Sequence, residues 1–203
     1  MNDHYYTAFP SSPHRETERR TCVNGREFSF ITDSGVFSRD GEDPGSALLV
    51  KACGDVTGRV LDLGCGWGYV GICLLGTVKG ISVCFTDINE RAVELCRKNL
   101  ERNRLQAEKV VSGDGAENLE GTFDHILMNP PIHAGKKVIY RLFGEARDRL
   151  NANGTLRVVI MTRQGASSAQ QEMERLFGNC AVVSRGSGYK VLVSAKGGAE
   201  EGA

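Results

Sequence analysis

The chain has 203 residues, with 25 Lys and Arg against 25 Asp and Glu, 40% apolar residues and 25 glycines. This length and balance are typical of one globular domain and exclude a collagen-like or largely disordered polymer. The apolar runs are too short for a transmembrane helix, and the polar N-terminus lacks the apolar centre of a signal peptide. We therefore expect a cytoplasmic protein with no membrane partner.

The cysteines and the charges narrow the function classes further. Most of the seven cysteines lie inside apolar runs and no C-x-x-C occurs, which predicts reduced core thiols and no metal site. Residues 1–128 carry 14 basic and 19 acidic groups, whereas residues 129–203 carry 11 basic and 6 acidic groups. This asymmetry fits a face that contacts a polyanion, and it fits an ordinary mixed-charge surface equally well.

The predicted elements begin with an N-terminal extension over residues 1–45. It contains a polar arm and a short β-hairpin, since Asn24-Gly25 separates two strand-like runs within 21–32. Ser46 is the expected N-cap of a short helix that opens the main domain, residues 46–196. Residues 197–203 are predicted to be a flexible tail.

Strands and helices alternate through the main domain. Apolar runs predict strands at 59–63, 81–87, 107–112, 123–128, 155–162, 180–184 and 189–195. Helical patterns lie between them at 69–75, after Asn89, at 138–150 and at 166–177. Such alternation predicts an α/β, Rossmann-like fold: a seven-stranded, mostly parallel sheet with helices on both faces. Ligands of such sheets bind at the carboxyl ends of the strands.

The first of these strands ends in the glycine-rich run D-L-G-C-G-W-G. Gly66, Gly68 and Gly71 also satisfy the G-x-G-x-x-G spacing of nicotinamide and flavin enzymes, so an oxidoreductase is one interpretation. Asp62 favours another interpretation, because a carboxylate two residues before the glycines would repel a pyrophosphate. It would attract the sulfonium and ammonium groups of S-adenosylmethionine.

Acidic residues also follow the next two strands. Asp87 ends the second strand and can accept hydrogen bonds from two ribose hydroxyls, and Asp114 follows the third strand and can accept one from an adenine amino group. Parallel strands bring these acids to the same sheet edge as Asp62. Three such acids together predict a nucleoside-binding cleft.

The most specific signal is Asn129-Pro130-Pro131-Ile132, at the end of the fourth strand. Two prolines fix the backbone and remove two N–H donors, so the remaining polar atoms are acceptors. A rigid pair formed by the Asn129 amide oxygen and the Pro130 carbonyl suits a planar amino group. Holding both amine protons would direct the nitrogen lone pair towards a methyl donor, so catalysis needs no basic side chain.

These motifs resemble the class I S-adenosylmethionine-dependent methyltransferases. The segments G-V-F-S-R-D-G-E-D-P-G-S, N-P-P-I-H-A-G-K and G-Y-K-V are similar to the small-domain methyltransferase family, which includes guanine-N2 methyltransferases of small-subunit ribosomal RNA. The resemblance covers about residues 3–196. It implies cofactor-binding roles for Phe37, Gly45, Ser46, Asp62, Gly64, Gly66, Gly68, Asp87, Ile88 and Asp114, and amine-binding, catalytic roles for Asn129 and Pro130.

The resemblance also implies a substrate, with Pro131 and Ile132 beside it. The family often has an aromatic residue at the position of Ile132, which stacks on the target base, so isoleucine is a departure. Lys136 and Lys137 follow directly and are expected to contact phosphates. The first hypothesis is therefore methylation of guanine N2 in ribosomal RNA, by a monomer or weak dimer.

Other substrates and classes stay open on the sequence alone. The amide of a protein glutamine and the N6 amine of DNA adenine both present the same NH2 group to the N-P-P motif. From other classes, a nicotinamide oxidoreductase and a cofactor-binding module without turnover remain. The intact Asp62, Asp87 and Asn129 argue against the latter.

Overall fold

A computed structural model describes residues 12–38 and 43–198, and within these ranges the chain forms nine strands and five α-helices. The strands are β1 (Thr17–Val23), β2 (Arg26–Thr32), β3 (Gly58–Leu63), β4 (Ile81–Asp87), β5 (Lys109–Ser112), β6 (Phe123–Met128), β7 (Leu150–Met161), β8 (Ala181–Gly186) and β9 (Tyr189–Ala195). The helices are α1 (Pro44–Lys51), α2 (Tyr69–Thr77), α3 (Glu90–Arg102), α4 (Lys136–Arg149) and α5 (Ala166–Phe177). Parts of the predicted arm (1–11), loop (39–42) and tail (199–203) lie outside the described residues.

The large sheet carries the site. In the described part of the chain it has seven strands in the order β5-β4-β3-β6-β7-β9-β8. The pairs from β5 through β7 are all parallel, and β9 is antiparallel to both β7 and β8. The predicted sheet is therefore confirmed. The chain turns from β3 to β4 on one side and later to β6 on the other, so a cleft opens beyond the carboxyl end of β3.

Alternating side chains of the strands bury two hydrophobic clusters, one on each face of the sheet. Val60 of β3 belongs to the cluster under α1, α2 and α3, whereas the next residue, Leu61, belongs to the cluster under α4 and α5. A fully buried parallel strand needs apolar residues on both faces, which explains its continuous apolar sequence. The prediction of helices on both faces is also confirmed.

The predicted N-terminal hairpin is present as a separate two-stranded sheet, β1–β2. Its turn residues Asn24 and Gly25 have φ values of 49° and 79°, as a tight hairpin turn requires. Asn99 of α3, which is fully buried, fixes the hairpin to the main domain. Its Oδ1 accepts from the Ile31 N–H (2.6 Å), and its Nδ2 donates to the carbonyls of Ile31 (2.9 Å) and Trp67 (2.8 Å).

Some predicted element ends differ from the observed ones. Asp43, and not Ser46, is the N-cap of α1: its Oδ2 accepts from the Ser46 N–H at 2.8 Å, and Pro44 occupies the first helical turn. Strand β7 begins at Leu150, where the apolar pattern of α4 had predicted a last helical residue. No helix in the described ranges is long and apolar enough to cross a membrane.

Candidate active site

An open cleft lies at the carboxyl ends of β3, β4 and β6, with about 950 Å³ of empty space that includes its solvent-filled mouth. Its walls come from the loop after β3, the end of β4, the start of the loop after β6, and residues 36–38. The topology alone accounts for this convergence, because these loops all leave the same edge of a parallel sheet. Among the predicted site residues, it is lined by Phe37, Ser46, Asp62, Gly64, Gly66, Asp87, Ile88, Asn129, Pro130 and Pro131.

Asp62 lies buried at the floor of the cleft. Its Oδ2 accepts from the Gly71 N–H (2.9 Å), in the first turn of α2, so a carboxylate holds one of the N-terminal amides of that helix. A dinucleotide enzyme uses these amides for the pyrophosphate. Gly71 has a different explanation here, since a Cβ at this position would lie 2.3 Å from Cε1 of Phe85. The glycine spacing thus reflects helix packing on β4.

Asp87 organises the glycine loop from the end of β4. Its Oδ2 accepts from the Gly66 N–H at 2.8 Å, and its Oδ1 accepts from the Asn89 N–H at 2.9 Å. Gly66 has a φ of 54°, and a Cβ there would meet no atom within 4 Å, so the loop presents bare backbone to the cleft. The lone pairs that remain on the carboxylate are available to hydroxyl donors.

Both carboxylates are costly to ionise in this environment. Burial raises the pKa of Asp62 to about 7, and the charge of Asp87 adds to the effect. Burial likewise raises the pKa of Asp87 to about 6. Two buried acids beside an open cleft suit a ligand that brings positive charge and hydroxyl donors. The residues present therefore fit S-adenosylmethionine, with Asp62 near its cationic end and Asp87 at its ribose.

Residues 35–38 form the wall on the N-terminal side. The indole N–H of Trp67 donates to the Phe37 carbonyl (3.1 Å), and Asn89 Nδ2 donates to the Gly35 carbonyl (2.9 Å). The side chain of Phe37 is 36% exposed although it lines the cleft. This segment is held by the same loops that carry the acids, so it forms part of the cofactor side of the cleft.

Within residues 12–38 and 43–198, no group donates a hydrogen bond to the amide oxygen of Asn129. Its Nδ2 donates to Asp43 Oδ2 and to Ser46 Oγ, each at 3.0 Å, which uses both amide protons. The polar atom left is Oδ1, on a side chain that lines the cleft beside Pro130 and Pro131. This arrangement offers an acceptor, and no donor, to a bound molecule.

Sequence reasoning missed the residues that orient Asn129. Asp43 contacts it directly, and the hydroxyl of Tyr189 on β9 donates to the other carboxylate oxygen of Asp43 at 3.0 Å. The D-P pair was an available signal, because an acid before a proline that opens a helix is a common N-cap. Tyr189 lies in the segment G-Y-K-V, but its contact with Asp43, 146 residues earlier in the chain, could not be predicted from that segment.

Six predicted site residues do not line the cleft: Gly45, Gly68, Asp114, Ile132, Lys136 and Lys137. Asp114 does not line the cleft: its carboxylate is paired with Arg141 of α4 at 2.6 Å, while the neighbouring glycines form the wall. Ile132 is partly buried against the apolar cluster under α4 and α5. Lys136 and Lys137 are exposed at the start of α4, outside the cleft.

The helix that follows the N-P-P motif begins unusually. Lys136 and Lys137 open α4, and its first turn has no acidic residue. Cations at a helix N-terminus oppose the helix dipole, which costs about 0.3–1 kcal/mol each at an exposed position. This local cost is understandable if the lysines serve a contact with an anionic molecule.

The fold, the cleft and its buried acids define a class I S-adenosylmethionine-dependent methyltransferase. The model of the methyltransferase small domain family matches residues 27–193, and the chain belongs to this family. S-adenosylmethionine is the methyl donor of the family, and the oxidoreductase interpretation of the glycine spacing is wrong.

Relatives cover the chain to different extents. An uncharacterized protein of Bacillus subtilis, YbxB, is 38% identical over 200 residues, which are 97% of this chain and all of that protein. Ribosomal RNA small subunit methyltransferase C of Haemophilus influenzae (strain PittEE) is 41% identical over 164 residues, 76% of this chain and 49% of its own length. The chain therefore spans about half the length of that relative.

A solved structure agrees with the sequence relatives. The 16S rRNA N2 G1207 methyltransferase RsmC of T. thermophilus, in complex with AdoMet and guanosine, superposes with a TM-score of 0.81 at 30% identity. The match covers 92% of this chain and 52% of that one. A ribosomal protein L11 methylase of Lactobacillus delbrueckii, with 18% identity and a TM-score of 0.62, shares the fold.

Proposed function

We propose that the chain methylates an exocyclic amine of RNA, and that the amine is guanine N2 of ribosomal RNA. The observation that carries the proposal is the Asn129 carboxamide, whose two protons are held by Asp43 and Ser46 while its oxygen remains for a ligand. The similarity to a guanine-N2 methyltransferase that binds guanosine supports the choice of base.

The chemistry follows from acceptors placed beside a methyl donor. S-adenosylmethionine, when bound, would supply a methyl group to the amine nitrogen and leave as S-adenosylhomocysteine when its S–CH3 bond breaks, and one amine proton would then be lost to solvent. Asn129 Oδ1 and the Pro130 carbonyl accept the two protons of the target amine, which fixes the nitrogen and directs its lone pair out of the acceptor plane. Both acceptors also stabilise the positive charge that develops on the nitrogen during transfer. The rigid Pro130-Pro131 backbone keeps the second acceptor in place without reorganisation.

The outer surface supports a nucleic-acid substrate. Lys136 and Lys137 are exposed directly after the N-P-P motif, and residues 129–203 carry 11 basic against 6 acidic groups. Phosphates near the target nucleotide would meet these lysines. We extend the proposal to a cytoplasmic enzyme acting as a monomer or weak dimer.

The decisive experiment identifies the labelled molecule. The protein is incubated with methyl-labelled S-adenosylmethionine and separate pools of ribosomal RNA, DNA and protein, and the labelled product is digested and chromatographed. We expect label in N2-methylguanosine from ribosomal RNA. Label in methylglutamine or N6-methyladenine would contradict the choice of substrate.

The same assay tests the role of Asn129. Asn129→Ala removes the amide acceptor, and we expect turnover to fall about 10²-fold or more, as for other preorganised electrostatic groups. Cofactor affinity should change little, because the acids that face the cofactor are untouched. Asn179→Ala, an exposed asparagine far along the chain, serves as the control. Normal turnover in Asn129→Ala would show that the amine is held by other groups.

A further inference from the structure

We propose that Tyr189 is a positioning residue for methyl transfer, which fixes Asp43 so that Asp43 orients and polarises the carboxamide of Asn129. The inference rests on the proposed function in one respect, namely that Asn129 Oδ1 is the acceptor for the target amine. The inference adds Tyr189, which lies on the antiparallel strand β9 and does not line the cleft.

The three side chains form a continuous chain of hydrogen bonds. The Tyr189 hydroxyl donates to Asp43 Oδ1 at 3.0 Å, and Asn129 Nδ2 donates to Asp43 Oδ2 at 3.0 Å. Oδ2 also accepts from the Ser46 N–H at 2.8 Å. With both oxygens engaged, the Asp43 carboxylate has a single orientation relative to α1.

The carboxylate determines which way the Asn129 amide points. An ionised carboxylate only accepts hydrogen bonds, so it selects the NH2 end of the amide and turns the oxygen away from itself. A charge-assisted bond to the NH2 group also strengthens the amide oxygen as an acceptor, because hydrogen bonds in a chain polarise one another. If Asp43 moved, the amide could rotate and present a donor to the amine.

The sequence around both residues allows the contact. A Cβ on Gly45 would lie 2.7 Å from Cε1 of Tyr189, so the ring rests directly on the backbone of the first turn of α1. On the other side, Ser187 (φ 48°) and Gly188 (φ 82°) form the tight turn from which β9 starts. Burial and the charge of Asp43 raise the pKa of Tyr189 to about 12, so its hydroxyl keeps its proton at any usable assay pH.

Tyr189 acts through its neighbour and not on the substrate. Asp43, Ser46 and Asn129 line the cleft, whereas Tyr189 lies behind Asp43 and does not. Removal of its hydroxyl should therefore leave cofactor binding intact and lower the rate of the chemical step. A residue needed only for folding would instead lower stability and every activity parameter together.

The test is Tyr189→Phe, which keeps the ring against Gly45 and removes only the hydroxyl. Tyr140→Phe, which removes a hydroxyl from a ring of α4 that packs on Phe143, is the matched control. We expect Tyr189→Phe to keep S-adenosylmethionine affinity within twofold and to lower the single-turnover methylation rate about tenfold, with KM for the RNA little changed. An unchanged rate, or a KM change without a rate change, would overturn the proposal.

Two further measurements separate positioning from a structural role. In an Asp43→Asn background, Tyr189→Phe should have less than a twofold further effect, because both changes remove the same constraint; fully additive effects would contradict the proposal. In 15N-labelled protein the side-chain NH2 resonances of Asn129, assigned with Asn129→Ala, should shift in Tyr189→Phe and not in Tyr140→Phe. Unshifted resonances would likewise contradict it.

These results also distinguish this proposal from the function on which it rests. If Asn129→Ala keeps the wild-type rate, the amine-holding role fails, and the NH2 resonances still report whether Tyr189 orients the amide. If Asn129→Ala is inactive while Tyr189→Phe is fully active with unshifted resonances, only the positioning role fails.

Discussion

Asp62 shows how one buried residue can connect ligand choice to pH. It lies 3% exposed beneath the cleft, and its partner is a backbone amide, not a cation. Burial raises the pKa of its carboxyl from about 3.8 to about 7. The protein therefore keeps an acid whose charge is poorly compensated until a cationic ligand is present.

This residue predicts a pH effect on stability. Between about pH 4 and pH 7 the unfolded chain releases the Asp62 proton while the folded chain retains it, so the folded state loses stability as pH rises through this range. In the cofactor-free protein, the Tm of the wild type minus the Tm of Asp62→Asn should therefore decrease as the pH rises to about 7. Above about pH 7 this difference should stay constant. Differential scanning fluorimetry across the range measures this difference.

Cofactor binding should show the opposite trend. A cationic ligand favours the ionised carboxylate, so we expect S-adenosylmethionine affinity of the wild type to rise towards neutral pH and that of Asp62→Asn to stay flatter. Calorimetry at several pH values gives both affinities. Parallel curves for the two proteins would mean that Asp62 is ionised throughout.

At the scale of elements, polar side chains of α3 and its C-terminal cap bind the hairpin, and Asn99 is the most buried of them. Asn99 bonds both backbone groups of Ile31 and the Trp67 carbonyl in a fully buried position. It thus connects the hairpin to the glycine loop that forms the floor of the cleft. Water cannot replace these bonds, which makes their loss expensive.

We expect Asn99→Ala to lower the free energy of unfolding by about 2–4 kcal/mol, since it leaves buried backbone groups without partners. Asn179→Ala is a closely matched control: Asn179 makes the same pair of bonds with the N–H and carbonyl of Ala195, at 2.8 Å each, in an exposed position. Water can replace those bonds, so its cost should stay below about 1 kcal/mol. Urea unfolding measures both, and equal losses would contradict the role of burial.

The elements were predictable to the extent that their causes are local. Apolar runs predicted the seven strands, and Asn24-Gly25 predicted the hairpin. Both signals work because hydrophobic periodicity and turn chemistry act over a few residues. The acids and the N-P-P motif are likewise local. The Asp43–Tyr189 contact, the pairing of Asp114 with Arg141 and the packing of Ile132 depend on distant partners, and no local pattern contains them.

The whole molecule has no net charge, but its charges are distributed unevenly along the chain. The N-terminal 128 residues are acidic and the remainder is basic, and the basic part includes the exposed pair after the N-P-P motif. Binding of RNA through such lysines releases counterions, so affinity should decrease with salt concentration. The slope of a log–log plot of RNA affinity against salt concentration gives the number of phosphate contacts.

Replacing Lys136 and Lys137 by alanine should flatten the log–log plot of RNA affinity against salt by about 1–2, since each single-strand phosphate contact contributes about 0.7. Cofactor affinity should not change, because both side chains lie outside the cleft. The control replaces Lys51 at the end of α1 and Lys79 between α2 and β4, which are exposed and carry the same total charge. Equal slopes for both double variants would indicate that RNA responds to the total charge of the protein and not to local contacts with Lys136 and Lys137.

The contact between Asp43 and Tyr189 also has a consequence for folding during synthesis. The glycine loop and its acids belong to the first half of the alternating region, whereas Tyr189 lies on β9 and is synthesised later. A nascent chain can thus assemble the cofactor cleft while Asp43, which orients the Asn129 carboxamide, still lacks its hydrogen bond from Tyr189. Chains that end before β9 are therefore expected to bind the methyl donor but to transfer its methyl group more slowly.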